Sequence, residues 1–296
     1  QVGPAMPRDG CCEAPDGRAA SAGRSPLLGA RIPLLVLTVS QLVLHGAAAK
    51  AADEFLAQRP PAWPLPNGVN ALEGITYPDS WPWKKSDFRR EDESDDKLFY
   101  NSPRLVKHID DNAIEGITKW YEGKLPKGDV AILDFCSSWI SHFPSSLSAT
   151  RVVGLGMNAG ELQKNSQLTD FVEHDLNKKP KFPFSDGEFD AVVNAVSVDY
   201  LSKPLQIFRE IRRIARPGAL VAMSFSNRMF WTKAIRRWTA ANEFQRLMIC
   251  ASYFHFTGFQ DVRAERIDAG RGDPMYVVFA HAPHTAPARE SSQADL

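Results

Sequence analysis

VAILDFCSSWISHFPSSLSATRVVGLG, residues 130–156, decides the fold. Val130–Phe135 is short and apolar, as a buried strand is, and it ends on Asp134-Phe135. Trp139–Leu147 is predicted to turn back as a short helix. Arg151–Gly156 is a second apolar run and the next strand. Strand, crossover and strand at this spacing make a βαβ unit, hence a parallel sheet with a ligand crevice at its carboxyl edge.

Downstream, Met157–Asn165 holds a helix start and Asp170–Asp175 a third strand. Ala191–Val196 reads as a fourth strand. In Leu205–Ile214, Leu205, Phe208, Ile211 and Ile214 recur on one helical face, with Arg209, Glu210, Arg212 and Arg213 on the other. Arg216-Pro217-Gly218 turns into a fifth strand, Ala219–Phe225. Ala234–Ile249 is predicted as one further helix. Phe259–Ile267 and Met275–Phe279 form a closing antiparallel pair. Asn227–Trp238, aromatic and basic, either caps a pocket or packs as an amphipathic helix on the sheet.

From about residue 130 to 281 this order resembles the class I S-adenosylmethionine-dependent methyltransferases. The most specific part is Phe182-Pro-Phe-Ser-Asp-Gly-Glu-Phe-Asp190, an apolar strand, and a helix ending in Arg213-Ile-Ala-Arg-Pro-Gly218. The resemblance implies an α/β, doubly wound, mostly parallel seven-stranded sheet, preceded here by an extended and helical N-terminal arm. It implies S-adenosylmethionine as cofactor and methyl transfer to a small-molecule acceptor. The family's first strand is followed by a loop of the type D-x-G-x-G-x-G, and here the loop is Asp134-Phe135-Cys136-Ser137-Ser138-Trp139-Ile140, without glycine. A Cβ restricts both the backbone angles and the close approach that glycine allows. The family's ribose-binding acidic residue falls on Gly156, with Asn158 a weaker substitute. Its adenine-binding acidic residue falls on Asp175. By the same resemblance the cofactor lies among Asp134, Cys136, Ser137, Ser138, Gly156, Met157, Asn158, Asp175, Leu176 and Asn194, and Asp199 or Tyr200 after the fourth strand supplies a base or orienting group. Each lost charge-assisted hydrogen bond costs roughly 1.5–3 kcal/mol.

Two other readings stay open. The altered loop also fits a methyltransferase-fold protein that binds or assembles without catalysing. Val152-Val153-Gly154-Leu155-Gly156-Met157-Asn158-Ala159 matches a strand followed by G-x-G-x-x-A, with Asp175 at the distance of a ribose carboxylate, as in NAD(P)-binding oxidoreductases. There the pattern belongs to the first strand, and here it sits on the second. No metal-ligand spacing, G-x-S-x-G elbow or P-loop occurs, so no metal is expected. His142 and His174 lie near the crevice and read as structural residues.

Upstream, residues 53–128 form an arm with leading helices. Six prolines between Pro60 and Pro82, among Trp63, Tyr77, Trp81 and Trp83, rule out long helices and suit aromatics packed on the domain surface or a substrate lid. Arg89–Asp96 is a charge run, expected to be a solvated loop. Leu105, Ile109, Ile114, Ile117, Trp120 and Tyr121 suggest one or two amphipathic helices, with Pro103 at a helix start. Residues 1–52 read as a targeting leader: Ile32–Leu44 is apolar but short for a span, with basic residues before it and small ones after, so cleavage near Ala49 or Ala52 is expected. A chloroplast destination, with a thylakoid step, would explain its two halves, and a secretory destination is the alternative. The α/β domain covers 129–283 and a disordered tail 284–296.

With 35 basic and 35 acidic residues the formal net charge is zero, which gives no support for nucleic-acid binding. Of the four cysteines, Cys11 and Cys12 lie in the leader, and Cys136 with Cys250 make no disulfide framework. The partners implied are a small molecule, no nucleic acid and no stable membrane span in the mature chain, and the oligomeric state is open.

Overall fold

The computed structural model describes residues 49–284. The apolar run Ile32–Leu44, Cys11, Cys12 and all of the tail beyond residue 284 lie outside the described residues. The strands are β1 Gly128–Phe135, β2 Ala149–Gly156, β3 Asp170–Glu173, β4 Phe189–Ala195, β5 Ala215–Ser226, β6 Gln260–Arg266 and β7 Met275–His281. They form one sheet in the order β3-β2-β1-β4-β5-β7-β6. β1 to β5 run parallel, and β7 pairs antiparallel with both β5 and β6. The doubly wound, mostly parallel seven-stranded sheet is therefore observed as expected. β1 and β2 are solvated only at their first residues and buried over their last five, as strands covered on both faces must be.

One face is covered by α5 (Pro204–Ile214), α7 (Glu243–His255) and the arm. Pro204 begins α5, where its missing N–H costs nothing, and Ile207, Phe208, Ile211 and Ile214 are buried. The predicted single helix over Ala234–Ile249 is two helices, α6 (Arg236–Thr239) and α7. Asn242 divides them: its side chain accepts from Gln245 N–H while the Gln245 side chain accepts from Asn242 N–H, a capping box that starts a helix. The other face is covered by α3 (Asp111–Lys124), capped by Asp110 through Ala113 N–H.

The predicted crossover helix over Trp139–Leu147 is absent, and the chain from β1 to β2 is irregular. Its backbone is satisfied from elsewhere. Asn165 Nδ2 donates to Ser138 O, Gln167 Nε2 donates to Phe143 O, and Thr118 Oγ1 donates to His142 O. His142 has φ +59° and Pro144 stands two residues on, two features that an α-helix interior excludes.

The arm splits into two parts. The described chain begins in a helix, α1 (49–57), whose Ala52 and Phe55 join the core with Leu65, Leu72 and Trp83. The expected leader boundary at residue 52 thus falls inside α1. Trp83 Nε1 donates to Ser252 Oγ on α7. Residues 102–110 are not helical, so Pro103 starts no helix, and Leu105 is exposed. The charge run is not a solvated loop throughout. Glu91 and Glu93 are exposed, but Asp96, in the single turn α2 (Asp96–Phe99), is buried with Arg90 beside it. Among the described residues no helix is long and apolar enough to cross a membrane.

Candidate functional site

A cavity of about 290 Å³ opens at the carboxyl ends of β1, β2, β3 and β4. Its floor is the loop after β1 and the turns after β2 and β3. Its roof is the arm, with Tyr100, Arg104, Val106 and His108, together with Arg228, Met229 and Phe230 after β5. Within Asn227–Trp238, Arg228, Met229 and Phe230 therefore cap the pocket, while Ile235 and Trp238 pack into the core. Trp139 Nε1 donates to Val106 O, Asn158 Nδ2 donates to Tyr100 O, and Arg104 N–H donates to Glu161 Oε1. These bonds tie the roof to the floor.

Nine of the ten residues expected around a cofactor line this cavity: Asp134, Cys136, Ser137, Ser138, Gly156, Met157, Asn158, Asp175 and Leu176. Asn194 does not. It is fully buried behind the loop, and its Nδ2 donates to Phe135 O at 2.8 Å. Tyr200 lines the cavity and Asp199 does not. The Tyr200 hydroxyl accepts from Phe230 N–H at 2.9 Å, and burial holds its pKa well above the ordinary value. Tyr200 thus has no access to a phenolate near neutral pH.

The loop after β1 keeps a shape that its composition does not suggest. Cys136 stands where the resembling family has its first glycine, and its φ is +53°. The backbone enters the left-handed region despite its Cβ, at a cost of about 1–2 kcal/mol. Ser137 N–H donates to Leu155 O at 2.8 Å, laying the loop against the end of β2. Ser137 Oγ donates to Asp134 Oδ2 at 2.6 Å. Burial raises the Asp134 pKa to about 6, the bonds from Ser137 and Ser141 pulling the other way. His142, also in the lining, is buried, which lowers its pKa to about 4, and its Nδ1 has no partner. It is a neutral imidazole near pH 7.

Three points of the site bear on the fit of an adenosyl cofactor. At Asp175 they fit. Oδ1 accepts from Asn177 and Lys178 N–H, while Oδ2 is buried without a hydrogen bond, the Lys178 ammonium being 3.8 Å away. A buried acceptor left unpaired is costly, and an amino group supplied by a ligand would satisfy it. At Cys136 they fit in backbone conformation. At the ribose position they do not. A Cβ on Gly156 would fall well inside contact distance of the Ser137 carbonyl, so no carboxylate can stand there while the loop lies on β2. Nor does Asn158 replace it: Oδ1 caps Glu161 N–H and Nδ2 is held by Tyr100 O.

Gly156→Asp, which restores the expected acidic residue, is therefore predicted to destabilise the fold by about 1–3 kcal/mol through overpacking. A thermal melt measures this, and an unchanged melting temperature would contradict the close approach of Ser137.

Sequence reasoning missed Arg104 and Glu161, which reach the cavity from two separate segments that no local spacing announces. Among the described residues no group of His, Cys, Asp and Glu could hold a metal ion.

A family profile described as a methyltransferase domain matches residues 139–223, from the loop to β5. No curated protein matches the chain. Among solved structures, a chain of the Haloferax volcanii complex between the Trm112 methyltransferase activator and a methyltransferase is 15% identical, with 60% of this chain and 92% of that chain covered and a TM-score of 0.47. The [4+2]-cyclase SpnF is 15% identical over 63% and 91% of the two chains, with a TM-score of 0.45. A SAM-dependent methyltransferase from Aquifex aeolicus is 16% identical over 58% and 91%, with a TM-score of 0.43. The profile match lies on the strand order already described, so residues 139–223 are similar to a methyltransferase domain and the α/β domain has the sheet order expected of a class I methyltransferase fold.

Proposed function

We propose that the chain transfers a methyl group from S-adenosylmethionine to a small-molecule acceptor held in the roofed cavity. The observation that carries this reading is the unpaired Asp175 Oδ2 in the wall of a cavity at the sheet's carboxyl edge. Asp175 would hold the adenine amino group, and Asp134 with the loop from Cys136 to Ser138 would hold the methionine part. When bound, the cofactor supplies an electrophilic methyl on its sulfonium. The protein's part is to align the nucleophile and exclude water, which the arm does by covering the site. A cavity of about 290 Å³ under that roof suits a small acceptor better than a macromolecular surface.

Two outcomes follow. Asp175→Asn replaces the acceptor Oδ2 with a donor and is expected to weaken S-adenosylhomocysteine binding about tenfold to a hundredfold, measured by calorimetry. Unchanged affinity would remove Asp175 from the site. Asp134 loses its charge below its pKa of about 6, so cofactor affinity is expected to fall about tenfold as the pH is lowered through that value. An affinity that is flat across this range, or rises on acidification, would contradict the assignment.

The filled ribose position favours a second reading, a binding protein without transfer. Incubating the full chain with methyl-labelled S-adenosylmethionine and a fractionated extract separates the two. Label in the low-molecular-weight fraction supports transfer to a small molecule. Label confined to protein or nucleic acid contradicts it, and no label in any fraction favours the second reading.

A further inference from the structure

Glu161 stands at the seam between the roof and the loop after β1. It belongs to the single turn α4 (Ala159–Leu162) after β2 and is only 8% exposed. Its two carboxylate oxygens serve different parts of the site. Oε1 accepts from Arg104 N–H at 2.6 Å, and Oε2 accepts from Ser138 Oγ at 2.7 Å. Arg104 is in the roof and Ser138 in the loop, and all three residues line the cavity.

The roof has little else to hold it. From residue 101 to 108 the chain has neither helix nor strand. Among the described residues, Arg104 N–H is the one backbone donor of that stretch with a hydrogen-bond partner. Two further bonds reach the roof, from Asn158 Nδ2 to Tyr100 O and from Trp139 Nε1 to Val106 O. Asn158 also caps Glu161 N–H with its Oδ1, so it fixes the turn that presents the carboxylate. Trp139 links loop and roof as Glu161 does, but through one neutral bond at an exposed place. A bond to a carboxylate is roughly twice as strong as one between neutral groups, and Glu161 makes two. Glu161 is therefore the stronger link.

The two bonds also help each other. The Ser138 carbonyl accepts from Asn165 Nδ2 at 3.0 Å, which pins the loop backbone from its other side. A glutamate side chain loses much rotamer freedom on being held. The Ser138 and Arg104 bonds share that cost, so making either one favours the other.

We propose that Glu161 is a positioning residue that couples the roof to the loop: when S-adenosylmethionine seats the loop, Ser138 holds the Glu161 carboxylate in place and the carboxylate holds the roof shut over the cavity. This rests on the loop being the cofactor's seat, and it assigns the site its closing contact.

Amide hydrogen exchange of the full chain, read residue by residue, tests the coupling with two reporters. Arg104 N–H reports the roof, and Ser137 N–H, which donates to Leu155 O, reports the loop. In Ser138→Ala without ligand, Arg104 exchange is expected to speed about two- to tenfold, although its own bond is not deleted. S-adenosylhomocysteine should slow both reporters in the parent and only Ser137 in Ser138→Ala. Glu161→Gln keeps an oxygen for Arg104 N–H and an amide that can donate to Ser138 Oγ, so it should retain the paired response, whereas Glu161→Leu should lose it at Arg104. Val221 N–H, in the buried part of β5, reports global unfolding, so a change confined to Arg104 and Ser137 belongs to the coupling. An Arg104 rate equal to the parent's in ligand-free Ser138→Ala would overturn the proposal. So would S-adenosylhomocysteine slowing Arg104 as strongly in Ser138→Ala as in the parent. If S-adenosylhomocysteine slows neither reporter in the parent while Ser138→Ala still speeds Arg104, the cofactor reading fails and the proposal with it, and Glu161 is a static brace.

Discussion

Replacing Asp96 by Ala is expected to destabilise the folded chain by about 3–5 kcal/mol, because it strands buried positive charge. Arg90 donates from Nη1 to both Asp96 oxygens, at 2.8 and 2.7 Å, and Asn177 Nδ2 donates to Oδ2 at 3.0 Å. Lys233, fully buried, lies 3.2 Å from Asp96 Oδ1 and 2.9 Å from Asp92 Oδ2. The cluster joins the arm to the segment after β5 and to the turn after β3, the three parts that close around the cavity. Lys233 keeps Asp92 in the variant, whereas Arg90 keeps no carboxylate among the described residues. Urea unfolding measures the loss. A drop below about 1 kcal/mol would mean that the cluster is open to water. Joint replacement by Arg90→Met, Asp96→Leu and Lys233→Met is expected to cost far less than Asp96→Ala alone, since no buried charge is then left unpaired and Asp92, which loses Lys233, is partly exposed to water.

The same cluster sets an acid limit. Burial by itself would raise the Asp96 pKa, but the bonds from Arg90 and Asn177 and the charge of Arg90 outweigh it and hold the carboxyl below its ordinary 3.8. A depressed carboxyl stabilises the fold above its unfolded pKa, and that stability is lost as the pH falls through the folded value. The arm should therefore loosen below about pH 4.

The second large effect lies at Asp199. Burial pushes its carboxyl up to about 8, against the pull of a backbone hydrogen bond, the Arg246 charge and Tyr200. Oδ2 has no partner. The folded chain keeps a proton here that the unfolded chain has released, so between about pH 4 and 8 stability falls as pH rises. The full cost above that window is on the order of 5 kcal/mol. Asp199→Asn cannot ionise. Its stability is expected to exceed that of the parent by several kcal/mol near pH 9, with the gap narrowing toward pH 5. Denaturant midpoints at the two pH values decide it, and a pH-independent gap would show that Asp199 is charged in the fold. Because Asp199 does not line the cavity, the proposed binding of S-adenosylhomocysteine near neutral pH should survive the substitution.

The sheet was legible because buried parallel strands leave short apolar runs and β5 follows an amphipathic helix whose period is plain at Phe208, Ile211 and Ile214. The break before α7 was not read: Asn242 and Gln245 form the capping box that makes it, but the apolar period on either side masked them. The missing crossover helix was not legible. Its backbone partners, Asn165 and Gln167, lie beyond β2 in sequence, and only the fold brings them near. Cys136 gave a misleading signal: its residue type argued against the left-handed loop that its backbone adopts. Asp134, Gly156 and Asp175 were placed by order along the strands, and the cavity gathers all three. Asp199 and Asn194 stand at the right strand end but are buried outside the cavity lining. The burial of Arg90, Asp96 and Lys233 was invisible, since a charge run in sequence does not say which charges meet.

The most direct test is calorimetric titration of S-adenosylmethionine and S-adenosylhomocysteine into the full chain at neutral pH, with NAD and NADP as controls. Binding of both sulfur compounds in the micromolar range, and of neither dinucleotide, is the predicted result, despite the glycine-free loop and the filled ribose position. A folded sample that gives no heat with either sulfur compound, or heat only with a dinucleotide, would contradict the assignment of the cavity.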